Sequence, residues 1–388
     1  MQARLREEMN QNAIALWKMF EKNNVFIEDK ALDEYLTSLV HKIYPGQIAG
    51  RPGNLRVKVI KEWIDGGPNA FALPNGYICV NTWLLSILKN EEELMAILAH
   101  ELTHYMLDHS LVSKIKEEKR KNRANTATLV VGTLFGIAES IDAEQTGREV
   151  DFQSIEDVVT ATDDLTKEMV KNAYFKYSRE NEFEADGVAA ELLEFIGIDP
   201  LAVSDALSAL KQWKTEMGVY QSTTNPEDTH PALDDRIETI GKPRVRMDDL
   251  AYEGMCSQAF SKTIPLYLKM NDKSNALQLI EKNIKNKKAT SLDYYYKAKL
   301  CLSNNENNEA LNCLKIAEKE MFDEMYDLYK MEANIYIKLK DFNKAIDAAK
   351  KYKKNMEVLS ITQFGNKEIT EVINSEIRWS ENLINRLK

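Results

Sequence analysis

Residues 98–109 read Leu-Ala-His-Glu-Leu-Thr-His-Tyr-Met-Leu-Asp-His, and they constrain the fold more than any other stretch of the chain. Their setting predicts a helix. From Leu94 to Leu107 there is neither Gly nor Pro, and Leu94, Ile97, Leu98, Leu102, Tyr105 and Met106 form an apolar stripe at helical spacing. Asn90 followed by Glu93 has capping-box spacing, and Glu91, Glu92 and Glu93 put negative charge at the positive end of the helix dipole. The same segment carries His100, Glu101, Thr103 and His104. Burying such groups without partners is costly, so a fold that buries this helix must bring partners to them. His100 and His104 are four residues apart, lie on one helical face and can grip one metal ion. Glu101 is placed to take a proton from water at that metal. The pattern His-Glu-x-x-His is the motif of zinc-dependent peptide hydrolysis. His109 lies five residues beyond His104 and, on a continuous helix, is rotated away from the shared face, a neighbour and not a ligand.

Bulk properties narrow the class. A chain of 388 residues is long enough for two or three domains with real cores. Its net charge of −10 argues against nucleic acid or an anionic membrane surface as the main partner. No stretch approaches the ~20 apolar residues of a membrane-spanning helix. The N-terminus has no signal-peptide apolar core, although it is compatible with a start from which a signal was removed. The cysteines (Cys79, Cys256, Cys301, Cys313) show neither a CxxC pair nor metal-ligand spacing, and Cys301 and Cys313 pair only if adjacent elements bring them close.

Ahead of the motif, residues 3–43 read as two amphipathic helices, with His41 a surface or core residue and not a ligand. Leu55–Lys61 alternates apolar and charged residues as a half-buried strand does. Pro74-Asn75-Gly76 is a hairpin turn leading into a strand over Tyr77–Asn81. Asn69, Ala70, Phe71 and Ala72 then form an edge strand to which an extended substrate can add through backbone hydrogen bonds. Beyond the motif, Lys114–Arg123 is a solvated helical face, Leu129–Ala138 fits a buried helix in preference to a lid or membrane-surface segment, and residues 142–165 are acidic and turn-rich.

A catalytic zinc needs three protein ligands and an open position. Ser178-Arg-Glu-Asn-Glu-Phe-Glu-Ala-Asp-Gly-Val-Ala-Ala, helical by composition, offers Glu180, Glu182 and Glu184, and spacing does not choose among them. If Glu182 is the ligand, Asp186 four residues on can hydrogen-bond a ligating histidine from behind. Asn-Ala-Phe-Ala-Leu-Pro-Asn-Gly-Tyr-Ile-Cys-Val-Asn, His-Glu-Leu-Thr-His and Ser-Arg-Glu-Asn-Glu-Phe-Glu-Ala-Asp, in that order and spacing, closely resemble the HtpX/BepA-like zinc metallopeptidases, relatives of the CAAX prenyl endopeptidases, over roughly residues 15–245. The resemblance implies a zincin-like domain with one zinc ion per chain, Glu182 as third ligand and Asp186 as its support. Thr229-His230-Pro231 and Arg236 resemble the family's later segment. There His230 would stabilise an oxyanion or occupy the open zinc position, and Arg236 would pair with a site carboxylate or a substrate carbonyl. Membrane-embedded branches carry transmembrane helices that this sequence lacks, so it resembles the soluble branch. That branch implies the periplasm or cell envelope if a signal was removed, and the cytoplasm otherwise.

The last third repeats. Ala276, Ala310 and Ala345 are spaced by 34 and 35 residues, as are Tyr267, Cys301 and Tyr336, and Tyr294-x-x-x-Ala298 recurs as Tyr329-x-x-x-Ala333. Small residues where paired helices touch and a period near 34 are the tetratricopeptide pattern, here about three units over 258–355 and a capping helix. The expected architecture is mainly α with a small β-sheet: a metallopeptidase domain over 1–250 and an α-solenoid over 251–388. The expected function is a zinc endopeptidase acting on proteins or peptides, in envelope quality control, whose repeats hold substrate or a protein partner. The alternative is a chaperone-like binding module whose zinc site is latched by His230.

Overall fold

A computed structural model describes residues 2–46, 54–61, 67–123, 177–220, 233–322, 325–362 and 367–388. Leu129–Ala138, the acidic stretch 142–165 and His230 lie outside the described residues. The described residues divide into two compact units, the first reaching Leu266 and the second starting at Tyr267.

The first unit begins with α1 (Gln2–Lys22) and α2 (Lys30–Ile43). Leu5, Met9, Leu16, Trp17 and Phe20 of α1 and Leu32, Leu36, Leu39 and Val40 of α2 are buried, as the helical period of the sequence requires. His41 is exposed. Strands β1 (Arg56–Ile60), β2 (Ala70–Ala72) and β3 (Tyr77–Asn81) form one sheet in the order β1-β3-β2. β1 runs parallel to β3, with Val57 opposite Ile78, and β2 runs antiparallel to it, with Phe71 opposite Cys79. The expected turn joins β2 to β3: Leu73 N–H donates to Tyr77 O at 2.7 Å and Gly76 N–H to Leu73 O at 2.9 Å. Gly76 has φ +87°, and a Cβ there would lie 3.0 Å from the Tyr105 ring. Only glycine meets both demands.

The motif helix is α4 (Glu91–Met106), reached through the short α3 (Thr82–Ile87). Asn90 caps it, its side chain accepting from Glu93 N–H at 2.9 Å. The Glu93 carboxylate accepts from Lys89 N–H at 2.9 Å and takes both arms of Arg246 at 2.7 and 2.6 Å. Glu93 is therefore more than a charge at the helix dipole; it is a buried ion-pair anchor. α4 stops at Met106 because Asp108 turns left-handed (φ +59°), and α5 (His109–Arg123) starts in a new direction. The continuous helix through His109 expected from sequence is thus broken.

α6 (Arg179–Phe195) follows, capped by a Ser178/Asn181 capping box, then α7 (Ala202–Glu216), α8 (Leu233–Ile240), α9 (Leu250–Met255) and α10 (Ser257–Lys269). α4 is the axis of this unit, packed against α2, α6, α7 and β2. Leu94, Leu98 and Leu102 are fully buried along it, each stabilising the fold by about 1.5–3 kcal/mol relative to exposure. Ala96 and Ala99 of α4 and Ala185 and Ala189 of α6 are buried too; small side chains let helices approach closely enough for their polar groups to meet.

The second unit continues with α11 (Lys273–Lys285), α12 (Ser291–Ser303), α13 (Asn307–Ala317), α14 (Leu328–Lys338), α15 (Phe342–Thr362) and α16 (Lys367–Leu387). The sequence period recurs in the backbone. Asn271, Asn305 and Lys340 are left-handed, at φ 60°, 62° and 58°. After each, the N–H of Asp272, Glu306 or Asp341 donates to the carbonyl of Tyr267, Cys301 or Tyr336 at 2.8–2.9 Å. Ala276, Ala310 and Ala345 are fully buried. All four cysteines are free and buried, so Cys301 and Cys313 are not bridged. Among the described residues no helix is long and apolar enough to cross a membrane.

Candidate metal centre

α4 contributes His100 and His104 on one face, and α6, lying against it, contributes Glu182. The three residues are buried and offer one ligand atom each, all within 4.8 Å of one another. His100 Nε2 and His104 Nε2 are 3.0 Å apart, and Glu182 reaches the first with Oε2 at 3.5 Å and the second with Oε1 at 3.4 Å. Burial selects Glu182 from the three candidate glutamates, since Glu180 and Glu184 are exposed. Two imidazole nitrogens and a carboxylate converging in a buried pocket can hold a divalent metal ion.

The family profile of peptidase family M48 matches residues 30–244, a span that holds every residue of this cluster. The chain belongs to peptidase family M48. It is 27% identical over 237 residues to a Vibrio cholerae serotype O1 protein provisionally named beta-barrel assembly-enhancing protease, covering 60% of this chain and 43% of that one. To the metalloprotease YcaL of Escherichia coli K12 it is 27% identical over 201 residues, covering 52% of this chain and 66% of that one. A beta-barrel assembly-enhancing protease of Yersinia pestis is 27% identical over 171 residues, covering 44% of this chain and 31% of that one. The chain thus spans under two thirds of the length of each of these relatives. The match agrees with the HtpX/BepA-like metallopeptidases that the three motifs resemble.

In this M48 chain the second turn of α6 and the first turn of α8 support the donor set. Asp186, one turn after Glu182, meets His100 Nδ1 at 2.9 Å. Arg236 of α8 donates to Asp186 from Nε and from a terminal nitrogen, both at 2.7 Å, and its other terminal nitrogen lies 3.0 Å from Glu182 Oε2. Of the two partners expected for Arg236, the structure shows the site carboxylates. All of these groups are buried, so their charges must compensate one another. Burial opposes ionisation of Asp186, but the Arg236 guanidinium outweighs it and holds the carboxyl well below the usual range. Burial likewise works against a proton on His100, yet its hydrogen bonds to Asp186 and Glu182 prevail and push its pKa up to about 10.

Glu101, also buried, faces the sheet: its Oε2 accepts the Ala72 N–H at 3.0 Å. Asn69 and Leu73 carry the hydrogen bonds to β3, so Ala70 and Ala72 turn their N–H groups outward. Ala70 N–H is taken by the Asn69 side chain at 2.9 Å. The edge strand and the carboxylate of the motif are therefore joined directly. Thr103, a buried hydroxyl in an apolar helix, is satisfied by the Ala99 carbonyl at 2.8 Å.

Sequence reasoning missed the roles of two residues here, His109 and Tyr177. His109 folds back so that its Nδ1 lies 2.8 Å from His104 Nδ1, and its Nε2 lies 3.2 Å from Glu184 Oε2. Tyr177 stacks flat on the His104 ring, centroids 3.8 Å apart and planes within 9°. The signal for His109 was Asp108, one of the few non-glycine residue types that tolerates a left-handed backbone. No sequence signal marks Tyr177.

Proposed function

We propose that this chain is a zinc-dependent endopeptidase. The observation that carries the reading is the buried His100, His104 and Glu182 cluster with Glu101 beside it on α4. Ligand atoms around a tetrahedral zinc, with bonds of about 2.0–2.1 Å, sit about 3.3 Å apart. The separations of 3.0, 3.4 and 3.5 Å fit that spacing, and the ligand types fit zinc. One ion per chain would be held by His100, His104 and Glu182. When bound, zinc lowers the pKa of water toward neutrality and polarises a peptide carbonyl. Glu101 then accepts the proton of the attacking water and returns it to the leaving nitrogen. The Ala72 N–H orients Glu101 for this role. Asp186 orients His100, and Arg236 acts from behind by neutralising Asp186 and Glu182.

Substrate in this reading is a protein or peptide segment in extended form. It adds to the sheet edge at Asn69, Ala70, Phe71 and Ala72, where the outward carbonyls of β2 accept its N–H groups. The peptidase domain is assigned to residues 1–250 and a tetratricopeptide-like repeat domain for substrate or partner binding to 251–388. The recurrence of Asn271, Asn305 and Lys340 supports the repeat. The likeness to beta-barrel assembly-enhancing proteases supports a role in the quality control of envelope proteins. Glu101→Gln keeps the ligands and removes the base, so it should abolish casein cleavage while one zinc per chain remains by metal analysis. Cleavage at the wild-type rate by that variant would sink the mechanism.

A further inference from the structure

We infer that His109 and Glu184 are positioning residues that set the tautomer in which His104 presents itself to the metal. The inference rests on the zinc reading above and goes further into the same site.

A neutral imidazole that ligates through Nε2 carries its proton on Nδ1, and whatever accepts that proton fixes the tautomer and the ring plane. His104 Nε2 belongs to the donor cluster, 3.0 Å from His100 Nε2 and 3.4 Å from Glu182 Oε1. Its Nδ1 faces Nδ1 of His109 at 2.8 Å. If His104 Nδ1 donates, His109 Nδ1 must accept, so the proton of His109 sits on Nε2. That nitrogen faces Glu184 Oε2 at 3.2 Å, and an ionised carboxylate only accepts. The chain of protons is consistent from end to end: His104 Nδ1–H to His109 Nδ1, then His109 Nε2–H to the Glu184 carboxylate. Reversing the first link would leave the proton of His104 on Nε2, inside the ligand cluster.

Three features of the fold build this relay. The left-handed turn at Asp108 brings His109 back under His104, where it is 2% exposed. α6 supplies the third ligand from its buried face at Glu182 and the relay's end from its exposed face at Glu184. Tyr177 lies flat on His104 and edge-on to His109, 6.1 Å away at 60°, and limits rotation of both rings. The two ligating histidines are thus held differently. His100 has a carboxylate directly behind it; His104 has an imidazole with a carboxylate one step further out.

Competition for zinc against a chromophoric chelator tests this in the full-length protein. His109→Leu keeps the volume and loses the acceptor, and should bind zinc about 10–100-fold more weakly. His109→Asn restores an acceptor where Nδ1 stood, and should stay within about threefold of wild type. Glu184→Ala, at an exposed position, should lose affinity a few-fold and serves as the decisive variant if Leu at 109 prevents folding. Leu or Ala variants that bind zinc as tightly as wild type overturn the inference. So does an Asn variant as weak as the Leu variant, because packing and not the acceptor would then matter. Wild-type protein that takes up no zinc overturns the metallopeptidase reading itself, whereas wild-type binding with unchanged variants removes only the relay.

Discussion

At the scale of single residues, the site is a set of charges that only make sense together. Arg236 neutralises two buried carboxylates, Asp186 and Glu182, and a buried pair that loses one partner leaves an uncompensated charge. Arg236→Leu should therefore destabilise the metal-free protein by about 3–5 kcal/mol, read from urea unfolding. Added zinc should recover part of that loss, since it replaces the missing positive charge; full stability in the variant would contradict the account. His100 supplies a pH dependence. Its pKa is raised to about 10, so its contribution to the metal-free fold is complete below pH 6.5 and lost as pH rises through 10. At every pH below about 10 a proton must leave His100 before it can ligate. Zinc affinity should therefore rise with pH up to about that value. Calorimetric titrations in buffers of different ionisation enthalpy should find a proton released per zinc bound; none released at pH 7 would show that His100 is already neutral.

At the scale of elements, two turns carry opposite lessons about what a sequence displays. Lys340-Asp341-Phe342-Asn343 reads as a turn, and the structure puts Lys340 in the left-handed region at its start. A non-glycine residue there is strained. Lys340→Gly should stabilise the protein by about 0.5–1 kcal/mol in denaturant unfolding, and Lys340→Ala should not. The break between α4 and α5 had only a faint signal, Asp108, because Leu107-Asp108-His109 contains neither Gly nor Pro. Asp108 accepts the left-handed turn and is held by Arg6 at 2.6 Å, a contact across 102 residues that local pattern cannot foresee. The N-terminal cap of α4 was legible, since Asn90 and Glu93 are near neighbours; the long-range partner of Glu93, Arg246, was not.

At the scale of the whole molecule, every residue of the metal cluster belongs to the first unit, while α11 to α16 belong to the second. Removing metal with a chelator should accelerate amide hydrogen exchange across Glu91–Met106 and Arg179–Phe195. Exchange in the helices from Lys273 to Leu387 should stay as it was. Equal acceleration in both units would show that the metal stabilises the chain as a whole.

What the sequence determined by itself was periodic or local. The apolar stripe of α4, the His-Glu-x-x-His spacing, the Asn75-Gly76 turn and the 34-residue repeat each depend on residues within a turn, a hairpin or one repeat of each other. Such patterns survive in one dimension because backbone geometry converts spacing directly into a shared face. The motif resemblance pointed further, to Glu182 and Asp186, and to Arg236 as a partner of a site carboxylate or a substrate carbonyl. The tertiary structure alone decided which surfaces meet. It chose the order β1-β3-β2, turned Ala72 N–H onto Glu101, buried Glu182 while exposing Glu180 and Glu184, and folded His109 back onto His104. Each of those outcomes depends on packing between segments far apart in the chain, where the burial of one polar group is made tolerable only by another brought to it from elsewhere.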